Sequence, residues 1–304
     1  MATQRQPVDA SGRPVEGADW IVAASEAFEG WRKASDMKEL SRAAAILNGA
    51  SPRMTMDPER THLAAAISEA LLNVSIAQRR PDVLDFAIGL MKRERSFVDG
   101  TLDIAGAALL ATHLAGLLAE RFYVAGTLED LAAALDLYRS YEEYVQSFPH
   151  SFDARERALF WWGYGKARQN KADVAKQRAE LVAAAECLAK AAEALDARSA
   201  FGRQIRGDLA VAQLELHNAQ GDGRNSSREF RDRLEHAIDT LRGLSQSATT
   251  EIERGRWSQN LAIALRQRSE LWPAQDQRRQ ADLREALAAT EQGLQAHRKP
   301  ARDK

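Results

Sequence analysis

The chain has little of what usually punctuates or cross-links a protein. Eight prolines and 18 glycines in 304 residues fall mostly between long stretches of helical period. No region sustains an alternation of Val, Ile and Thr, so no β-strand is expected. A single cysteine, Cys187, excludes an intrachain disulfide and every paired-cysteine zinc pattern. In "AAAECLAKAA" it reads as a small packed thiol. No stretch approaches the ~18 uninterrupted apolar residues of a membrane helix. The longest apolar-looking run, "IAGAALLATHLAGLLAERF", carries Thr112, His113 and Glu120 and reads as a buried helix. The opening "MATQRQPVDASGRPVEG" lacks the apolar core of a signal peptide, so a cytoplasmic location is the default expectation. There is no basic stripe of the kind a nucleic-acid binder presents.

What is present is helix-forming. Apolar residues make up 45% and charged residues 28%, and Ala, Leu, Glu, Arg and Gln dominate. The expectation is an all-α chain with a loose arm over 1–18, a helical domain over 19–297 and a fraying tail over 298–304. Twelve helices are predicted, roughly at 19–33, 36–48, 58–79, 82–96, 100–124, 128–147, 152–169, 171–197, 200–219, 227–244, 249–271 and 277–297. Asp36, Asp57, Asp82, Thr127, Ser151 and Ser226 are candidate N-caps, because a short oxygen-bearing side chain can accept from the free first-turn amides. Pro58 suits a first helical position, and Gly126 and Gly221 suit left-handed helix ends. Short connectors predict antiparallel hairpins.

A repeat runs through these helices. A Leu-x-x-Ala-[Ala/Ile/Leu] pattern begins at Leu40, Leu84, Leu131, Leu188, Leu234 and Leu283, with separations of 44, 47, 57, 46 and 49 residues. "HLAGLLAER" (113–121) and "NLAIALRQR" (260–268) align without a gap, 147 residues apart. Small residues at fixed points let helices approach closely while large ones fill the groove between them. One such hairpin cannot bury its apolar face alone, whereas stacked hairpins can, which predicts an α-solenoid of about six hairpins.

On these residues the chain resembles tetratricopeptide repeat proteins, in the long-helix bacterial variety that accompanies caspase-like protease systems. "HLAGLLAERFYVAGTLEDLAAALDLY" (113–138) carries the resemblance best, with Arg121, Phe122, Gly126, Leu131 and Ala134 at matching places. "QNLAIALRQRSE" followed by "DLREALAATEQGL" matches less fully, and 150–225 matches least. The resemblance implies a right-handed superhelix whose concave groove binds a protein or peptide, as an adaptor or scaffold without enzymatic activity. It also implies a regulatory link to a protease or signalling partner. Groove positions carried over from the family fall on Thr112 and His113, then Trp161, then Gln259 and Asn260. Arg256 lies about one turn before Asn260, and Arg121 near the end of its helix.

No catalytic constellation is evident. "ERTH" (59–62) has Glu-x-x-His spacing, but a solvated Glu59 and His62 is the blander and favoured reading. No metal or cofactor is expected. The stretch "RALFWWGYGKARQ" (157–169) is the most suggestive: Trp161 and Trp162 point about 100° apart on a helix. If Trp162 takes the packing seam, Trp161 faces the groove, with Tyr164, Lys166 and Arg168 nearby as recognition surface; in the other reading both indoles fill core. A rival function follows from the same stretch: a small-molecule binder or helical enzyme with an aromatic pocket at Trp161 and Tyr164. The charge is uneven as well. Residues 1–150 hold 15 Lys+Arg against 21 Asp+Glu, and the remainder 27 against 22. That −6/+5 split opens a third reading, self-association.

Overall fold

The structure, a computed structural model, describes residues 19–50, 58–98, 103–219 and 228–298. The expected caps Asp57, Gly221 and Ser226, the arm 1–18 and residues 299–304 lie outside these. The helices are α1 (Asp19–Ala34), α2 (Met37–Gly49), α3 (Pro58–Gln78), α4 (Pro81–Val98), α5 (Ile104–Ala125), α6 (Leu128–Ser147), α7 (Ala154–Ala175), α8 (Arg178–Ala194), α9 (Ala200–Asn218), α10 (Arg228–Ser247), α11 (Glu251–Glu270) and α12 (Gln277–Arg298). A short 3-10 turn, Pro149–Ser151, precedes α7. No strand occurs among the described residues.

The helix ends follow side-chain chemistry, though not always at the expected residue. Asp36 accepts from the Lys38 amide at 2.9 Å, and Gly126 closes α5 in the left-handed region at φ 73°. Three expected caps are corrected. Thr127 precedes α6 without a side-chain cap bond. Asp82 lies inside the first turn of α4, where Arg80 holds it in a two-point ion pair. Ser151 belongs to the 3-10 turn. The N-terminus of α7 is instead a reciprocal box, in which Asp153 accepts from the Glu156 amide and Glu156 accepts from the Asp153 amide, both at 2.8 Å. Ser35, Arg79 and Lys176 all have φ of 53°, each just past the end of a helix and each without a glycine to announce it.

The chain divides into two compact units, Met1–Glu156 and Arg157–Lys304. In the first, consecutive helices pack on one another from α1 to α6, and the odd helices also meet, α1 with α3 and α3 with α5. Leu40, Leu47, Ile67, Leu84, Met91, Leu117 and Tyr138 are fully buried there. Each such side chain contributes roughly 1.5–3 kcal/mol of burial. An ion pair sits inside this apolar setting. Arg60 donates through Nε and Nη2 to Glu94 at 2.6 and 2.8 Å, with its guanidinium 4.9 Å from the rings of both Trp20 and Phe97. The two-point geometry and the flanking rings offset the cost of burying both charges.

In the second unit, α8 to α12 pack consecutively and α9 also meets α11. Leu234, Ile238, Leu241, Trp257, Leu261 and Leu265 belong to its core. Two glycines permit close approaches. A Cβ on Gly165 would come within 2.8 Å of Leu188 Cγ and 3.1 Å of the Ala184 carbonyl, and one on Gly207 within 2.2 Å of the Trp257 ring.

A side-chain clamp recurs in both units. In the first, Arg121 near the end of α5 donates to both carboxylate oxygens of Asp130 in the first turn of α6, at 2.7 and 2.6 Å, and to Asp85 of α4 at 2.9 Å. In the second, Arg268 near the end of α11 donates to both oxygens of Asp282 on α12, at 3.1 and 2.6 Å, and to Glu235 of α10. Each clamp therefore ties one helix to the next and to the one before. Asp130 and Asp282 each precede a leucine of the repeat, Leu131 and Leu283, while Asp85 and Glu235 each follow one, Leu84 and Leu234. Arg168 makes a partial version with Glu180 of α8 at 2.9 Å, helped by Lys171 at 2.6 Å. Glu180 precedes Leu181, so Leu181 rather than Leu188 carries the repeat register in α8. With that change the leucine separations become 44, 47, 50, 53 and 49.

Candidate functional site

Three of the residues singled out in the sequence lie in the interior. Thr112 is 5% exposed, and its hydroxyl donates to the Ala108 carbonyl at 2.8 Å. Tyr164 is fully buried and its hydroxyl accepts from Arg168 at 2.6 Å. Trp161 is 5% exposed, edge-on to Phe160 with centroids 5.1 Å apart, and Lys190 Nζ lies 4.0 Å from its ring centroid. His113 is partly exposed, yet burial of its ring, with Arg155 adding to the effect, lowers its pKa to about 4. Arg121 is committed to its clamp.

The tryptophan pair adopts the orientation opposite to the groove expectation. Ala158, Trp161 and Gly165 form one buried row of α7, so Trp161 takes the seam and Trp162 turns away from it. The Trp162 indole N–H needs an acceptor, and it has one in Asp208 of α9 at 2.9 Å. Arg256 of α11 donates to the other oxygen of Asp208 at 2.6 Å. Asp208 is only 2% exposed, and these two donors offset the cost of burying its carboxylate. The Arg256 side chain is 47% exposed and lies over the Trp257 ring at 4.6 Å, and Phe201 meets Trp162 edge-on at 5.5 Å.

Two turns further along α9 the pattern repeats. Glu215 accepts from Gln169 of α7 at 2.6 Å, and Gln169 in turn accepts from Lys166 at 3.0 Å. Burial raises the Glu215 pKa, and the like charges of Asp173 and Asp208 push it the same way against Lys166. The result is a polar and aromatic face that bridges α7, α9 and α11. On α11 it continues through exposed Gln259 and partly exposed Asn260 to exposed Ile263. Arg256, Gln259 and Asn260 are the sequence candidates that belong to this face. Asp208, Gln169 and Glu215 were not singled out, and Trp162 was considered only for the packing seam. The usable signal was spacing: Asp208 lies 46 residues after Trp162 and 48 before Arg256, about one repeat each way.

A separate concavity of about 400 Å³ lies between α8 and α10 over α9. It is lined by alanines and Leu209, with Glu193, Arg206, Gln213, His236 and Thr240 as polar members. The buried Gln213 Oε1 has no hydrogen-bond partner. Neither Trp161 nor Tyr164 lines this space.

Among the described residues no group of three His, Cys, Asp or Glu side chains is arranged to hold a metal ion. His62, whose side chain is 63% exposed, has its Nδ1 3.4 Å from Glu156. Cys187 is buried. Helix α5 is the one described helix long and apolar enough to cross a membrane by composition, and eleven of its residues are buried. No family model matches the chain, and no curated protein matches it.

Proposed function

We propose that the protein is a non-enzymatic binding module that receives an extended segment of a polypeptide partner along the α7–α9–α11 face. Within each unit the helices would pair as antiparallel hairpins, stacked in the right-handed sense of tetratricopeptide-like repeats. The odd helices would form the ligand-facing layer. The observation that carries this reading is the Trp162–Asp208–Arg256 bridge. It joins three alternate helices through side chains and leaves a guanidinium, an indole and side-chain amides on the outer surface. Because the guanidinium and the indole are already held by Asp208, little of their ordering entropy is lost on binding, and an arginine over an aromatic ring is a productive anchor.

A random peptide library selected against the full chain tests this. Enriched peptides should bind Arg256→Ala and Lys166→Ala at least tenfold more weakly, with Gln259→Ala, an exposed change that leaves the fold intact, showing a smaller loss. Equal affinity for all three variants and the parent would refute the reading. A second reading, a small-molecule binder, draws on the 400 Å³ concavity and the unpartnered Gln213 oxygen. It predicts a ligand that brings an N–H or O–H donor and is lost on Gln213→Leu while Arg256→Ala leaves it bound.

A further inference from the structure

Helix α12 is two-sided. Asp282, Ala286, Ala289 and Ala296 are buried, and Ala286 and Ala289 belong to the core shared with α10 and α11. The outer side carries Leu283, Leu287 and Leu294, which are 43%, 62% and 50% exposed. At 3.6 residues per turn these three leucines fall within roughly 40° of one another along about 16 Å of the helix, with exposed Thr290 between Leu287 and Leu294. The solvent side of a helix is ordinarily polar. An exposed apolar face of this length is a surface for something to cover.

The charges beside the stripe indicate what does. Arg284 and Glu291 are both exposed and both lie on the same flank of the leucines, about 10 Å apart along the axis. When two identical helices pair antiparallel about a two-fold axis, each flank meets the same flank of its partner. In the register centred between Leu287 and Ala288, Arg284 of one copy faces Glu291 of the other, and the reverse pair forms by symmetry. Leu287 then sits beside its own counterpart at the centre, with Leu283 and Leu294 packing outward from it.

We propose that the outer face of α12 is a self-association surface, on which two copies of the chain pair antiparallel through Leu283, Leu287 and Leu294 with reciprocal Arg284–Glu291 contacts. Such an isologous interface closes on itself as a dimer and does not propagate. It is independent of the peptide-binding reading, since Leu283, Arg284, Leu287, Glu291 and Leu294 are not part of the α7–α9–α11 face. The stripe is small compared with stable interfaces, so dissociation constants on the order of 10–100 μM are expected.

Sedimentation of the full chain from about 1 to several hundred μM, at low salt, tests the pairing. The parent should pass from monomer to dimer across that range. Leu287→Asp should be monomeric throughout, with helical content unchanged because Leu287 is on the surface. Arg284→Glu and Glu291→Arg should each weaken the dimer at least tenfold, by placing like charges opposite one another twice. Mixing those two variants should restore association as a heterodimer. One chain then carries a carboxylate at both positions and the other a guanidinium at both, so each facing pair is again of opposite charge. A parent that stays monomeric overturns the proposal. So does a dimer indifferent to Leu287→Asp, or charge variants that mixing does not rescue, the last being the result expected if another partner or another surface is responsible.

Discussion

Helices α5 and α11 occupy the same place in their repeats, 147 residues apart, and they agree on one side and differ on the other. Arg121 and Arg268 end the shared stretch and make the same three-way clamp. Leu114 and Leu261 are buried in the same register. On the remaining face α5 has Leu109 where α11 has Arg256, and Thr112 where α11 has Gln259. Leu109 and Thr112 are buried, whereas Arg256 is half exposed and Gln259 exposed. The packing side is thus shared by two copies within one chain, while the other side has been made interior in one and polar surface in the other. The repeat specifies how a helix stacks; the free face is available for recognition only where neighbouring helices leave it uncovered.

Exchanging characters between the two helices should break this relation unequally. Leu109→Arg places a charge where α5 is enclosed and should cost about 4 kcal/mol or more in denaturant unfolding. The clamps should behave alike. Asp130→Ala and Asp282→Ala each leave a partly exposed guanidinium short of its main partner, at about 1–3 kcal/mol apiece. A difference of more than about twofold between these two would mean the clamps are not equivalent.

His113 separates the helices by pH, because its counterpart on α11 is Asn260, which does not titrate. Its native pKa of about 4 lies below the ordinary 6.5, so the unfolded chain takes up a proton that the native chain refuses. The stabilisation is complete above pH 6.5 and is lost as pH falls from 6.5 toward 4, by about 2–3 kcal/mol. Denaturant titrations of His113→Asn across that range should lack this slope. At the small end, Gln259→Ala on exposed α11 should change stability by less than about 0.5 kcal/mol, measured the same way.

Much of the architecture was legible because it rests on periodic burial. The predicted helices at 36–48, 58–79, 128–147 and 249–271 match α2, α3, α6 and α11 to within two residues at either end. The break between α7 and α8 was expected at residue 170 and falls instead at Lys176–Gln177, where Lys176 adopts a left-handed φ with no glycine or proline to mark it. With the start of α8 placed too early, the repeat leucine was read at Leu188, whereas the Glu180 contact with Arg168 puts the register at Leu181. The site was legible on α11, where Arg256 and Asn260 stand out against an Ala-Leu background. It was misread on α7, because helical spacing separates Trp161 from Trp162 without saying which of them faces the core. Asp208, in "RGDLAV", looks like any solvated helix carboxylate; only its distance of about one repeat from a tryptophan and an arginine distinguishes it.

The most direct measurement is a titration of the full chain, with its tryptophans labelled, by a peptide selected from the library, following each indole N–H resonance by NMR. The account predicts that the Trp162 and Trp257 resonances move together with saturation, since the Asp208 bridge lies under the bound segment, while the buried Trp161 resonance stays in place. Movement of Trp161 with Trp162 and Trp257 unaffected would contradict it and favour the rival aromatic-pocket reading.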